Sequence, residues 1–260
     1  MMSSDLRIVM SRTFYAIAMI AFGVQHILMD DFIAGRAPVW PQNLPGQMVW
    51  AYATGLILIM TGVAVIVDKK ARVALLTTGV LILLWAALRN IYMLILNPEY
   101  GALLTNLFKS LGIGGGAFIV ANTFQSVEFS STSDAFVKMM STIAFYFVGT
   151  FLLVGGVQHF IFVDFVKFLI PTWIPGSTFW TYFAGLALVA GGLGIITGIK
   201  RSLAALLSGI MIFIWVLVLH LPRAVQNQNQ NEWTAVFEAL AVSGILILIS
   251  EASRRKVVGR

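Results

Sequence analysis

GGVQHFIFVDFVKFLIPTWIPGSTFWTYFAG, residues 155–185, repeats a text that the chain has already carried at residues 23–55, GVQHILMDDFIAGRAPVWPQNLPGQMVWAYATG. Gln25-His26 pairs with Gln158-His159, Asp31-Phe32 with Asp164-Phe165, and Pro38-x-Trp40 with Pro171-x-Trp173, all at one constant spacing. Pro45-Gly46, Trp50, Tyr52 and Gly55 then pair with Pro175-Gly176, Trp180, Tyr182 and Gly185 at a spacing three residues shorter. The step is the inserted Pro41-Gln42-Asn43. Self-similarity at this length decides the architecture before any single motif does.

Working outward, the pairing continues into Gly79 with Gly209, Trp85 with Trp215, Thr105 with Thr234 and Phe108 with Phe237. The chain is therefore an internal duplication: a first repeat over residues 1–123, a Ser- and Thr-rich connector over 124–138, and a second repeat over 139–260. Hydrophobic residues make up 59% and charged residues 11%, against about 25% charged in soluble domains. Apolar runs of helical length separated by short polar gaps read as membrane spans. Eight fit, at roughly 13–29, 48–67, 73–95, 103–122, 139–163, 178–198, 203–221 and 234–250, each near the length a bilayer requires. The fold class is all-α, a polytopic membrane protein of eight transmembrane helices in two parallel four-helix repeats. An even number of spans per repeat sends both halves into the membrane in the same direction.

Charge then sets orientation. Arg7, Arg12, the Lys69-Lys70-x-Arg72 gap, Lys138, Lys200-Arg201 and the closing Arg254, Arg255, Lys256 and Arg260 all fall on the side shared by both termini. By the positive-inside rule that side is cytoplasmic. The expected location is a bacterial inner membrane with both termini in the cytoplasm. The net charge of +6 does not indicate nucleic acid, because it sits at span ends without interleaved aromatics. The first apolar run carries the Gln-His landmark and reads as a retained span, not a cleaved leader. Cysteine is absent, which excludes disulfides, thiolate metal sites and covalent c-type haem attachment.

Polar chemistry gathers at the opposite face. The topology brings His26, Asp31, Trp40, His159, Asp164, Trp173, His220 and Arg223 there, and these are the candidate ligand-binding residues. Ionisable groups at membrane depth default to functional candidates, whereas Trp at a span end is more often an interfacial anchor. Asn90 stands at the His220 position of the first repeat, with Arg89 beside it. Lys109 and Glu238 occupy equivalent positions, so a pseudo-twofold can bring them together as a structural ion pair. No paired-Cys metal motif, serine-hydrolase elbow, zincin helix or phosphate loop occurs, so no metal site and no catalytic residue is assigned. Bis-His haem requires two imidazoles facing each other, to which spacing gives no support.

The glycine pattern Gly155-Gly156, Pro175-Gly176, Gly191-Gly192, Gly198 and Lys200-Arg201, repeated by Gly23, Pro45-Gly46, Gly62 and Lys69-Lys70, resembles that of DoxX-like membrane proteins. That resemblance implies a tandem of two DoxX-type four-helix units, related to the membrane component of thiosulfate:quinone oxidoreductase. It implies a quinone-binding or redox-associated subunit, with quinone as ligand and electrons from a soluble redox partner or directly from a reduced sulfur substrate. In that case His159 and Trp173 would hold the head group, and Asp164 would orient the imidazole. The alternative is a non-enzymatic scaffold for a small molecule or lipid, or a transporter with its site between the halves. In either case the lipid bilayer is the common partner.

Overall fold

The computed structural model describes residues 3–33, 40, 44–98, 101–124 and 131–258. Pro38, the inserted Pro41-Gln42-Asn43 and Arg260 lie outside the described residues. The chain is an all-α polytopic membrane protein, with eight helices among the described residues long and apolar enough to cross a bilayer. These are α1 (Ser4–Leu28), α2 (Gln47–Ile66), α3 (Ala71–Leu96), α4 (Gly101–Ala121), α5 (Ser131–Ile161), α7 (Ser177–Thr197), α8 (Arg201–Asn227) and α9 (Gln230–Val258). The short α6 (Val163–Leu169) lies between α5 and α7.

Some helices outrun their apolar runs. α1 begins at Ser4 because the Ser3 side chain caps it, accepting from the Leu6 N–H at 3.2 Å. α5 begins at Ser131, well inside the expected connector, and Asp134 in its first turn pairs with Arg72 of α3 at 2.5 Å. Hydropathy marks the lipid-embedded length of a helix and misses polar turns that project beyond it.

The duplication is visible in the backbone. Gly46 and Gly176 precede α2 and α7 with φ of 89° and 75°. Only glycine takes that left-handed turn without strain. Lys70 and Lys200 enter α3 and α8 at φ of 52° and 51°. The crossing of α1 with α2 and that of α5 with α7 are equally close. A Cβ on Gly156 would stand 2.8 Å from the Gly185 carbonyl oxygen, and one on Gly192 would stand 2.6 Å from that of Gly149. Gly23 against Gly55 and Gly62 against Ala16 repeat both approaches. Small residues let membrane helices meet backbone to backbone, where dispersion contacts replace the hydrophobic drive that lipid does not supply.

The two repeats interlock. The main neighbours of α1 are α2 and α9, and those of α5 are α7 and α4, so the first helix of each repeat packs on the last helix of the other. α4 and α9 meet at the centre and are the most enclosed of the eight. Outward-facing Leu56, Val80, Leu186 and Leu207 are more than half exposed, as suits side chains facing lipid tails. At the end carrying the termini, Glu251 of α9 accepts from Arg7 Nε at 2.6 Å and from Ser4 Oγ at 2.7 Å. Arg12 donates to the Thr123 hydroxyl at 2.7 Å and lies 3.8 Å over the Phe124 ring.

Candidate functional site

At the other end, each Gln of the two Gln-His pairs spans the junction between repeats. Gln158 Oε1 accepts from the Thr105 hydroxyl at 2.6 Å, and its Nε2 donates to the Gly101 carbonyl at 3.1 Å. Gln25 does the same with Thr234 and the Gln230 carbonyl, both at 3.2 Å. One turn deeper on the same two helices, Lys109 Nζ lies 2.8 Å from Glu238 Oε2, with both side chains largely buried. Each is eight residues into its helix, about 12 Å below the helix start. In so poor a solvent each charge needs its opposite.

Beside this pair, a cavity of about 1940 Å³ runs through the second half as a groove about half open at the surface, with exposed Phe183, Leu207 and Ile214 along its rim. Its walls come from α5, α7, α8 and α9, with α4 of the first repeat closing the remaining side. The lining is overwhelmingly apolar, and its polar groups other than Lys200, Thr197 and Ser208 collect at the end away from the termini. There the cavity meets His159, His220, Trp215, the Lys109–Glu238 pair and the Arg223–Glu232 pair. Arg223 binds Glu232 through two parallel N–H donors, at 2.6 and 3.2 Å. This fork geometry fixes orientation as well as neutralising charge. Arg223 also donates to the Phe168 carbonyl of α6 at 3.5 Å, tying the cover of the cavity to α8.

α8 carries a local change of pitch here. Residues Val216–His220 form a π-helical turn, and Ala86–Ile91 of α3 form the corresponding one. One extra residue per turn re-aims the side chains that follow, and such turns are frequent at functional sites. The turns bear His220 in one half and Arg89-Asn90 in the other.

His159 sits at the polar end, its ring 6.1 Å from that of Trp215 and tilted by 26°. Its Nδ1 is 2.7 Å from the Gly155 carbonyl oxygen. A carbonyl only accepts, so Nδ1 carries the proton and the neutral ring presents Nε2 as an acceptor. His26 is held to the Phe22 carbonyl in the same way, also at 2.7 Å.

The other expected residues divide. Trp173 stands at the cavity mouth, 69% exposed. Asp164 does not orient the imidazole: its side chain is 97% exposed and paired with Lys167 at 3.2 Å, and the backbone carbonyl of Gly155 does the orienting instead. His26, Asp31 and Trp40 belong to the first half and do not join the second-half residues. There Phe32 is buried and stacks on Trp40 at 5.6 Å, and the Arg89 guanidinium lies 4.4 Å over the Phe32 ring. Sequence reasoning passed over Gln25, Gln158 and Trp215, although the repetition of all three positions was the signal that could have found them.

A family model described as a domain of unknown function (DUF8561) matches residues 148–254, the stretch that bears the cavity. The chain is similar to that family over this stretch. No curated protein and no solved structure matches the chain.

Proposed function

We propose that the protein binds a long apolar molecule with a small polar head in the second-half cavity. A single observation carries this reading: about 1940 Å³ of apolar space with its polar groups gathered mainly at one end. Drug-sized ligands fill roughly 300–1,000 Å³, so the space suits a chain such as an isoprenoid or acyl tail. The apolar walls would hold the tail by dispersion, and the polar end would fix head and depth. A quinone or quinol fits this description, and the DoxX-like glycine pattern favours it. A soluble redox partner would then approach the face opposite the termini. In the same reading the membrane is a bacterial inner membrane and both termini are cytoplasmic. A lipid-binding scaffold without redox chemistry uses the same cavity.

Gly155 supplies the test. A Cβ placed there meets nothing closer than Leu188 Cδ1 at 4.0 Å, and the equivalent residue of the first half is Phe22, which is buried. Gly155→Phe therefore sends a ring into the cavity without a backbone clash. Protein purified in mild detergent is extracted with organic solvent, and the extract is weighed by mass spectrometry against the Gly155→Phe protein. The expected result is a lipophilic molecule at near-stoichiometric amount in the wild type that is absent from the variant. Identical extracts from the two proteins would overturn the proposal.

A further inference from the structure

The two halves are two versions of one design, so a hydrogen bond made in one and missing in the other says what the second must obtain elsewhere. In the first half the Trp85 indole N–H donates to the Thr54 hydroxyl at 3.2 Å, and Asn90 donates to the Ser110 hydroxyl at 3.1 Å. The second half keeps the donors, as Trp215 and His220, and has lost both hydroxyls: Ala184 stands for Thr54 and Ala239 for Ser110. All four of these second-half residues line the cavity. Neither the Trp215 indole nor the His220 imidazole makes a hydrogen bond to another described residue. Both groups are half-buried and line the groove without a hydrogen-bond partner among the described residues, so a ligand that supplies one gains a hydrogen bond there.

We infer that the cavity takes an uncharged lipid whose head bears a hydroxyl group, with His159 and Trp215 reading that hydroxyl together. The inference rests on the cavity being a ligand site, as proposed above. His159 offers only the acceptor Nε2, because Nδ1–H is engaged by the Gly155 carbonyl. Trp215, with its ring 6.1 Å away, offers only a donor. A hydroxyl satisfies both, donating its proton to Nε2 and accepting from the indole N–H. A ketone or quinone carbonyl can accept from Trp215 but has nothing to give His159. His220 would meet a second oxygen of the same head.

Charge argues for neutrality. At this end the cavity meets Lys109 with Glu238 and Arg223 with Glu232, two closed ion pairs at 2.8 and 2.6 Å. Lys200 lines the cavity only at the opposite end. A phosphate or carboxylate head would have to draw a cation away from its carboxylate and strand that carboxylate in a low dielectric. Prenols, quinols, sterols and diacylglycerols share the required chemistry.

Thermal unfolding of the full chain in detergent, followed with four probes, tests this. Decylubiquinol and farnesol carry the hydroxyl, decylubiquinone lacks it, and farnesyl phosphate replaces it with an anion. A ligand that binds the folded state raises the unfolding temperature in a saturable way. The expectation is a saturable rise with at least one hydroxyl probe and about tenfold weaker binding of its quinone or phosphate counterpart. A response to decylubiquinol alone identifies a quinol head, and a response to farnesol alone a prenol. Ala184→Thr returns the protein's own hydroxyl to Trp215 and should weaken the hydroxyl probe about tenfold while the ligand-free protein unfolds no earlier. Trp215→Phe should weaken it similarly. Decylubiquinone or farnesyl phosphate binding as tightly as its hydroxyl partner, or Ala184→Thr binding like wild type, would overturn the hydroxyl inference and leave the cavity reading standing. No response to any probe, together with identical extracts from wild type and Gly155→Phe, would remove the cavity reading itself.

Discussion

Phe32 is 5% exposed and its repeat partner Phe165 is 65% exposed. The two halves share crossings, turns and π-helical segments, yet one buries this phenylalanine and the other leaves it out. In the first half Phe32 packs edge-on to His26 and Trp85 and lies beneath Arg89. Leu219 takes the place of Arg89 in the second half, so the cation that holds the Phe32–Trp40 stack has no counterpart there. Side-chain volume moves in the same direction. Around the cavity Gly155, Ala187, Ala190, Gly191, Ala235 and Ala239 stand where the first half has Phe22, Ile57, Met60, Thr61, Asn106 and Ser110. Phe151, Phe183, Leu203, Leu207 and Ile210, opposite Ala18, Ala53, Val73, Thr77 and Val80, run the other way. Duplication thus preserved the frame while these six positions beside the second-half groove carry smaller side chains than their first-half partners.

The sharpest way to break this comparison is to remove the bulk that the first half carries at the Gly155 position. Phe22→Gly removes a buried ring from the core of the first half, and the expected destabilisation is about 3–5 kcal/mol from the void alone. Thermal unfolding in detergent measures it. A loss below about 1 kcal/mol would mean that Phe22 is not tightly packed there.

The axis shared by both copies comes next. Lys109→Met leaves Glu238 as a carboxylate in apolar surroundings, and breaking a buried pair from one side costs about 3–5 kcal/mol. Lys109→Glu with Glu238→Lys should recover most of what either single change loses, which expression level and unfolding temperature both report. A swap no better than the singles would show that the pair's surroundings, and not the pair, matter there.

The polar clamps give a smaller and symmetrical effect. Gln158→Leu and Gln25→Leu each leave a threonine hydroxyl and a helix-end carbonyl to find other partners, at about 1–2 kcal/mol apiece. Similar losses in the two variants keep the halves equivalent at this level. A much larger loss from Gln158→Leu would tie that clamp to the ligand cavity, since Gln158 is one of its lining residues.

What the sequence disclosed and what it withheld follow one physical line. Spans, turns and the meeting of Lys109 with Glu238 depend on periodicity, glycine and the pairing of repeats, all of which are written linearly. The interlocking of the repeats was not legible, because close helix crossings name neither partner of a glycine: Gly116 packs on Ile245 across the two repeats as Gly23 packs on Gly55 within one. The site was half legible. His159, His220 and Trp173 do line the cavity. Trp215 reads in the sequence as a repeat landmark alone, since an indole in an apolar run looks like packing until the hydroxyl partner of its repeat mate is seen to be missing.

Asp164 is where pattern and geometry part most clearly, and it carries the smallest prediction. A carboxylate five residues after a histidine invites a His–Asp reading, but α5 ends at Ile161 and Asp164 opens α6 with its side chain in solvent. Its partner Lys167 is half-buried and three residues on, the geometry of a surface pair worth at most about 0.5 kcal/mol. Asp164→Asn should therefore change unfolding temperature and probe binding by less than replicate scatter, while His159→Ala at the same end weakens the hydroxyl probe about tenfold. Equal losses from the two would return the aspartate to the site and imply that α6 folds inward around a bound ligand, as Phe32 does in the other half.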